Sequence, residues 1–386
     1  VSRGARAVSS SPGARGPASA RASSAYALRA SLVLIVSFAL LCACDRRPAA
    51  PVSSPAASPA SPAPSASTSP AATLPGDADA GASPASLLAA QPAAPRDFFG
   101  LEGGDADWIA RAGRAQPARF RPIGTSSLVF KVYFSGGLEA AFRPRVRAQG
   151  RGWIHEVVAY RLARLLGMDQ VPPVVSRGVA RREVMAHLDA DYGGDRGALE
   201  ADLAARGDVV WGALVAWVPG LRDLALDTSR GIARSRPWLA QSGALPAGDE
   251  ATLAADLSTM IAFDYLIANV DRWSGANVRA DASGRRLVVR DHNLALLAPL
   301  PDAQHERLLG PLRRVERFSR RFTGALRALD EARVRASLAA DPAFAEGVVD
   351  VDAGQIAGIL ERREALLSRV GALVDVYGDE AVLAFP

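Results

Sequence analysis

Three residues in the second half of the chain have the types and spacing of a phosphoryl-transfer site. Phe263-Asp-Tyr-Leu-Ile-Ala-Asn-Val-Asp271-Arg-Trp-Ser-Gly-Ala-Asn277 leads, across a hairpin, to Val288-Val-Arg-Asp291-His-Asn293. A long apolar stretch delivers Asp271 on a polar loop, Asn277 follows, and a second acid, Asp291, ends the next β-like run. Phosphoryl transfer takes one carboxylate to orient an attacking hydroxyl and a pair of oxygen ligands for a divalent cation. Asp, Asn and Arg also populate solvated turns, and the spacing alone leaves that plainer reading ahead. Other chemistries are easier to exclude. His155-Glu156 opens like a zinc-protease pattern, but the second imidazole needed one turn later is replaced by Ala159. Four histidines (155, 187, 292 and 305) and no cysteine beyond Cys44 argue against a transition-metal site. There is no Gly-x-Ser-x-Gly elbow and no Walker phosphate loop.

Net charge excludes a further class. The chain has 45 Lys+Arg against 40 Asp+Glu, a formal +5. The first 44 residues hold Arg3, Arg6, Arg15, Arg21 and Arg29 and no acid, so the remainder balances. A neutral body exerts no general pull on a phosphate backbone, and nucleic acid is not an expected partner. The chain is 49% hydrophobic, enough to bury a core. A single lysine, Lys131, stands among the basic residues.

The elements that must position these residues follow from periodicity. Leu128–Phe134 and Leu138–Arg143, joined by Ser135-Gly136-Gly137, read as a hairpin. A three-residue loop sets Lys131 opposite Ala141 and puts Arg143 on the same face; a two-residue loop sends Lys131 to the other. His155–Leu166 has helical spacing, stopped by Gly167 and Val171-Pro172-Pro173. Val210–Pro219 reads as a buried strand, Ala251–Ala268 as an apolar helix of about five turns. Asn277–Ala280 and Arg286–Arg290 flank a turn at Asp281–Gly284. The remainder to Asp375 reads as helical, with Ile356, Leu360, Leu367, Val370 and Val374 on one face. There is no internal repeat. The fold class predicted is α+β, with two lobes around a cleft: a β-rich lobe over about 97–216 and a mainly helical one over about 217–386.

Ahead of this body, Arg29 and the apolar run Ser31–Leu41 have the form of a secretory leader, too short to span a bilayer comfortably. Leu41-Cys42-Ala43-Cys44 resembles the lipobox of bacterial lipoproteins, which makes Cys44 the lipidated residue and 1–43 the signal peptide. An ordinary signal peptide with incidental cysteines is the alternative. Residues 44–96, with eleven prolines from Pro48 to Pro95 among Ala and Ser, read as a disordered, flexible linker. The expected location is the bacterial cell envelope, outside the cytoplasm, on a lipid anchor.

The Asp271 segment resembles the catalytic loop of the four-jointed box kinases, which act in the secretory pathway, and more distantly HipA-type and phosphatidylinositol kinases. Three further segments fall in the expected order. Glu156–Gly167 with Val171-Pro172-Pro173 is similar to the Glu-bearing helix of the first lobe, and Trp217-Val218-Pro219-Gly220-Leu221 to the hinge. Arg313–Arg321 with Leu360–Leu366 is similar to the last helices. The resemblance implies a two-lobed protein-kinase-like fold that binds ATP with Mg²⁺ or Mn²⁺. By it Asp271 is the catalytic base, Asp291 and Asn277 are metal ligands, and Glu156 positions a phosphate-binding cation. Asn277 falls one residue later than the wider fold's usual spacing, and Asp291-His292-Asn293 lacks the usual glycine. Arg143 stands where distant relatives carry lysine; compositional drift, a degenerate site, or Lys131 reaching the phosphates from the preceding strand are all open. Trp217 and Val218 are the candidates for bordering the adenine; Trp211 and Trp273 read as packing. The expected activity is transfer of the γ-phosphoryl group to a hydroxyl, that of Ser/Thr in an exported protein. A pseudokinase acting as an envelope binding module, or a small-molecule or lipid kinase, are the alternatives.

Overall fold

The computed structural model describes residues 94–386 apart from 125, 126, 149 and 276. The leader, Cys44 and most of the Pro/Ala/Ser segment lie outside the described residues. The first lobe runs α1 (Gly104–Arg114), β1 (Pro117–Pro122), β2 (Phe130–Phe134), β3 (Glu139–Pro144), α2 (Gly152–Leu165), β4 (Val174–Ala180), α3 (Arg181–Ala186), α4 (Arg196–Asp202) and β5 (Val209–Ala216). Among the described residues it holds four helices where the sequence predicts one. Its strands form a five-stranded antiparallel sheet in the order β1-β2-β3-β5-β4.

Alternation builds this sheet. Phe130, Val132 and Phe134 of β2 and Ala140 and Phe142 of β3 point one way and are buried. They pack with Phe120, whose ring meets Phe130 and Phe142 edge-on at 5.7 and 6.2 Å. The hairpin settles on the three-residue loop: Phe134 N–H donates to Leu138 O at 2.9 Å, and Gly136 and Gly137 take φ of 83° and 80°. Lys131 therefore faces Ala141 across the ladder, and Arg143 shares their side. Two strands escaped the sequence reading. β1 is bounded by prolines, tolerable only because it is an edge strand. β4, the other edge, has Ser176-Arg177-Gly178 breaking its apolar run.

The second lobe continues with β6 (Arg222–Asp223), α5 (Ser229–Leu239), α6 (Asp249–Leu266), β7 (Arg279–Ala280), β8 (Leu287–Val288), α7 (Asp302–Leu312), α8 (Arg320–Arg327), α9 (Glu331–Ala339), α10 (Pro342–Ala345), α11 (Ala353–Tyr377) and α12 (Asp379–Val382). α6 runs through the centre, buried continuously from Asp256 to Leu266. α2 is apolar almost all round because it is covered on both sides, and it joins the same core as α6 and the late helices. The predicted hairpin forms with shorter strands, and β6 extends it to three. On α11 the fully buried stripe is Ile356, Ile359, Arg362, Leu366 and Val370; Leu360, Leu367 and Val374 lie beside it, half-buried.

Candidate functional site

A cleft of about 580 Å³ lies between the sheet and the segments flanking the β7–β8 hairpin, Asn277 before it and Arg290 and Asp291 after it. Val129, Ala141, Val215, Trp217 and Val218 give it an apolar wall; Arg143, Glu156, Asn277, Arg290 and Asp291 give it charge and polarity. Trp217 and Val218 enter it where the chain leaves β5. Trp211 packs half-buried against the core instead, and Trp273 carries Arg314 stacked on its ring at 5.4 Å.

Arg143 ties the polar end together. The alternation of β3 turns it away from the phenylalanine core and toward α2. Its Nε lies 3.2 Å from Glu156 Oε1, one terminal nitrogen donates to Asp291 Oδ1 at 2.8 Å, and the other to Ser127 Oγ at 2.9 Å. Glu156 is 3% exposed. Its Oε2 accepts from the His292 backbone N–H at 3.1 Å and faces His292 Nδ1 at 3.3 Å. Burial alone would raise this carboxyl, but the His292 ring, the Arg143 guanidinium and the His292 N–H together hold it down at about 2. The other ring nitrogen, Nε2, is sealed in the core with no hydrogen-bond partner.

His292 has an apolar and a polar side, and both are used. Its ring stands edge-on to Phe263 at 6.0 Å while its polar side bonds Glu156. Asp291 takes φ of 65°, a left-handed conformation rare outside glycine. Bonds on three consecutive residues hold that turn: Arg143 to Asp291, His292 to Glu156, and His155 Nδ1 to Asn293 O at 2.9 Å. Burial pushes His155 below its ordinary value, so its neutral ring donates that proton.

The loop after α6 is fixed from inside. Arg272 is 0% exposed and grips Asp264 of α6 with Nε at 2.8 Å and a terminal nitrogen at 3.1 Å. Its remaining nitrogen donates to Asn277 O at 2.9 Å and Arg290 O at 2.5 Å. One buried cation therefore joins helix, loop and the approach to Asp291. Asn269 Nδ2 adds a bond to Asp264 at 3.0 Å, and Arg362 of α11 donates to Leu266 O at 2.8 Å. Asp271 is half-buried and does not itself line the cleft; its Oδ2 accepts from Nδ2 of Asn277, which does, at 2.9 Å. Asn277, 6% exposed, faces the cleft, so the late spacing still brings it beside Asp291's pocket.

Lys131 does not reach this cluster. Its Nζ pairs with Glu139 at 2.9 Å and sits over the Trp217 ring at 4.4 Å, although the strand register puts it on Arg143's face. The sequence reading also passed over the β1–β2 loop. Gly124 and Ser127 line the cleft, and a Cβ at Gly124 would stand 1.8 Å from Ser127 O, so only glycine fits. The signal was present as Gly-Thr-Ser-Ser between two β-like runs. Arg272 and His292 were visible as residues but not as connectors, because their partners are distant or backbone atoms.

Among the described residues no group of three or more His, Cys, Asp or Glu could hold a metal ion by itself. Asp291 and Asn277, each with a side-chain oxygen, line one cavity, although Asp291 Oδ1 also accepts from Arg143. That set fits a hard cation such as Mg²⁺ or Mn²⁺, which takes few protein ligands and completes its shell with phosphate oxygens and water.

No family model matches the chain, and no curated protein matches it. Solved structures do. A crystal structure of the Golgi casein kinase with Mn and ADP bound aligns at a TM-score of 0.54 with 15% identity, over 72% of this chain and 78% of that one. The structure of hydra Fam20 with sugar aligns at 0.52 with 17% identity, over 73% and 93%. The chain has the two-lobed, kinase-like fold of these proteins, as the sequence predicts.

Proposed function

We propose that the cleft binds ATP with a divalent cation and transfers the γ-phosphoryl group to a hydroxyl. The observation that carries this reading is the three-way cluster in a kinase-like fold: Arg143 joins Glu156 of α2 to Asp291 beyond β8 at 3.2 and 2.8 Å. The Golgi casein kinase structure holds Mn and ADP, the same classes of ligand. Val129, Ala141, Val215, Trp217 and Val218 would take the base, and Gly124 and Ser127 would cover the phosphates. Asp291 and Asn277 would hold the cation, which when bound neutralises phosphate charge. Asp271 orients the acceptor and takes its proton as the acceptor oxygen–phosphorus bond forms and the bridging bond to ADP breaks. Asn277 donates to Asp271 at 2.9 Å and keeps the carboxylate aimed. Serine or threonine of an exported protein is the proposed acceptor. Anchoring through Cys44 fits that setting; Cys44→Ser should move the chain from the membrane to the soluble fraction.

One observation favours a second reading, a binding module without turnover. The Arg143 guanidinium sits on the metal carboxylate itself, 2.8 Å from Asp291 Oδ1, and arginine is no isostere of lysine at such a site. Phosphate incorporation and ATP binding, measured together, separate the two. For an enzyme, Asp271→Asn keeps ATP binding and loses about 10²–10⁴-fold in rate, while Asp291→Asn weakens Mg²⁺-dependent binding. A parent that binds ATP yet labels no exported protein and not itself is the module.

A further inference from the structure

Among the described residues Arg290 is the cleft-lining guanidinium with no carboxylate at ion-pair distance. It leaves β8 directly before Asp291, and its backbone carbonyl accepts from Arg272 at 2.5 Å while its side chain lines the cleft. Its Nε is sealed from solvent with no hydrogen-bond partner. Among the described residues no carboxylate forms an ion pair with it. The cations around it are all engaged: Arg143 with Glu156 and Asp291, Lys131 with Glu139, Arg272 with Asp264, Arg279 with Asp223. One guanidinium against two carboxylates leaves the Arg143 cluster with a net negative charge, which by itself repels a polyphosphate. Leaving a largely buried cation unpaired is costly, and arginine's planar fork matches phosphate oxygens two at a time.

We infer that Arg290 is the phosphate-binding cation of this site, and that Arg143 is a strut holding Glu156 to Asp291. The lysine's usual two jobs are thereby divided between two arginines. This rests on the nucleotide reading above and assigns the polyphosphate's partner within it.

The test is calorimetric titration of the full chain with ATP, ADP and adenosine in Mg²⁺, for the parent, Arg290→Gln and Arg290→Lys. Arg290→Gln should weaken ATP and ADP about tenfold or more, the scale of a charge-assisted bond, and leave adenosine unchanged. Arg290→Lys should recover part of the loss. The ligand-free Arg290→Gln chain should melt no lower than the parent, since among the described residues it loses no ion pair or side-chain hydrogen bond, and it sheds a charge that burial disfavours more than the nearby carboxylates favour it. ATP binding unaltered by Arg290→Gln overturns the assignment and leaves the nucleotide reading standing. Equal loss of adenosine, or a ligand-free chain that melts lower or fails to fold, makes Arg290 structural and overturns it too. A parent that binds neither ATP nor ADP removes the nucleotide reading and this inference together.

Discussion

Glu156 shows how one residue can be both strut and site. A carboxylate at 3% exposure survives as an anion only because Arg143 and His292 supply charge and two hydrogen bonds. Its folded value of about 2 lies below its ordinary 4.5, so the unfolded chain takes up this proton first as pH falls. The stabilisation is complete above about 4.5 and is lost as pH drops from there to about 2. Glu156→Gln should therefore lower stability at neutral pH by about 1.5–3 kcal/mol, the scale of a bond to a charged group. It should also flatten the pH dependence of the urea midpoint between about 4.5 and 2. A variant that keeps the parent's acid slope would show that other carboxylates set it.

At the scale of elements, close packing of β3 on β5 sets where Arg143 stands. Gly212 of β5 pairs with Pro144, and a Cβ there would lie 2.5 Å from Arg143 O and from the Phe142 ring. Gly212→Ala should push β3 outward and cost about 1–3 kcal/mol, with Arg143 displaced. Gly113 in α1 has nothing within 4 Å of that position, and Gly113→Ala should instead stabilise by about 0.5–1 kcal/mol. Urea midpoints of the two variants should move in opposite directions. The same contrast explains what the sequence revealed. The β2–β3 hairpin, α2, β5 and α6 were legible because each buries one face or all faces with its own period. β4 was not, because Ser176 sits mid-strand and its backbone N–H is satisfied by Asp341, 165 residues away. In the site, Asp271, Asn277, Asp291 and Glu156 were readable by type and order. The connecting work of Arg272 was not, since two of its partners are the carbonyls of Asn277 and Arg290, and a carbonyl leaves no mark in a sequence. The pairing of Arg143 with Glu156 near Asp291 follows from the resemblance, but spacing could not show that Asp291 takes the same guanidinium, or that among the described residues no carboxylate pairs with Arg290.

At the scale of the molecule, the lobes meet at more than the hinge. Asp341, 0% exposed at the corner between α9 and α10, accepts from Ser176 N–H of β4 at 3.0 Å and also bonds the Ser176 hydroxyl. Ala343 N–H donates to Ser176 Oγ at 2.8 Å, and Arg161 of α2 lies 3.8 Å from the carboxylate. α2 is held at both ends by carbonyls of the helical lobe, Arg151 to Asp350 at 2.8 Å and Arg161 to Ala340 at 3.2 Å. The helix that carries Glu156 is thus tied to the lobe that carries Asp271 and Asp291, and the Arg143 cluster does not depend on the hinge alone. Removing Asp341 leaves a buried Ser176 N–H and hydroxyl without their acceptor, a loss of about 1–3 kcal/mol. In Asp341→Ala, hydrogen exchange should quicken in β4 and along α2, while the β2–β3 hairpin keeps its protection because none of its bonds pass through this corner. Nucleotide affinity should fall with it, since Glu156 then holds Arg143 less firmly. If β4 and α2 exchange at the parent's rate in a chain that has lost that stability, the corner is a local cap on α10, and the hinge alone aligns the lobes.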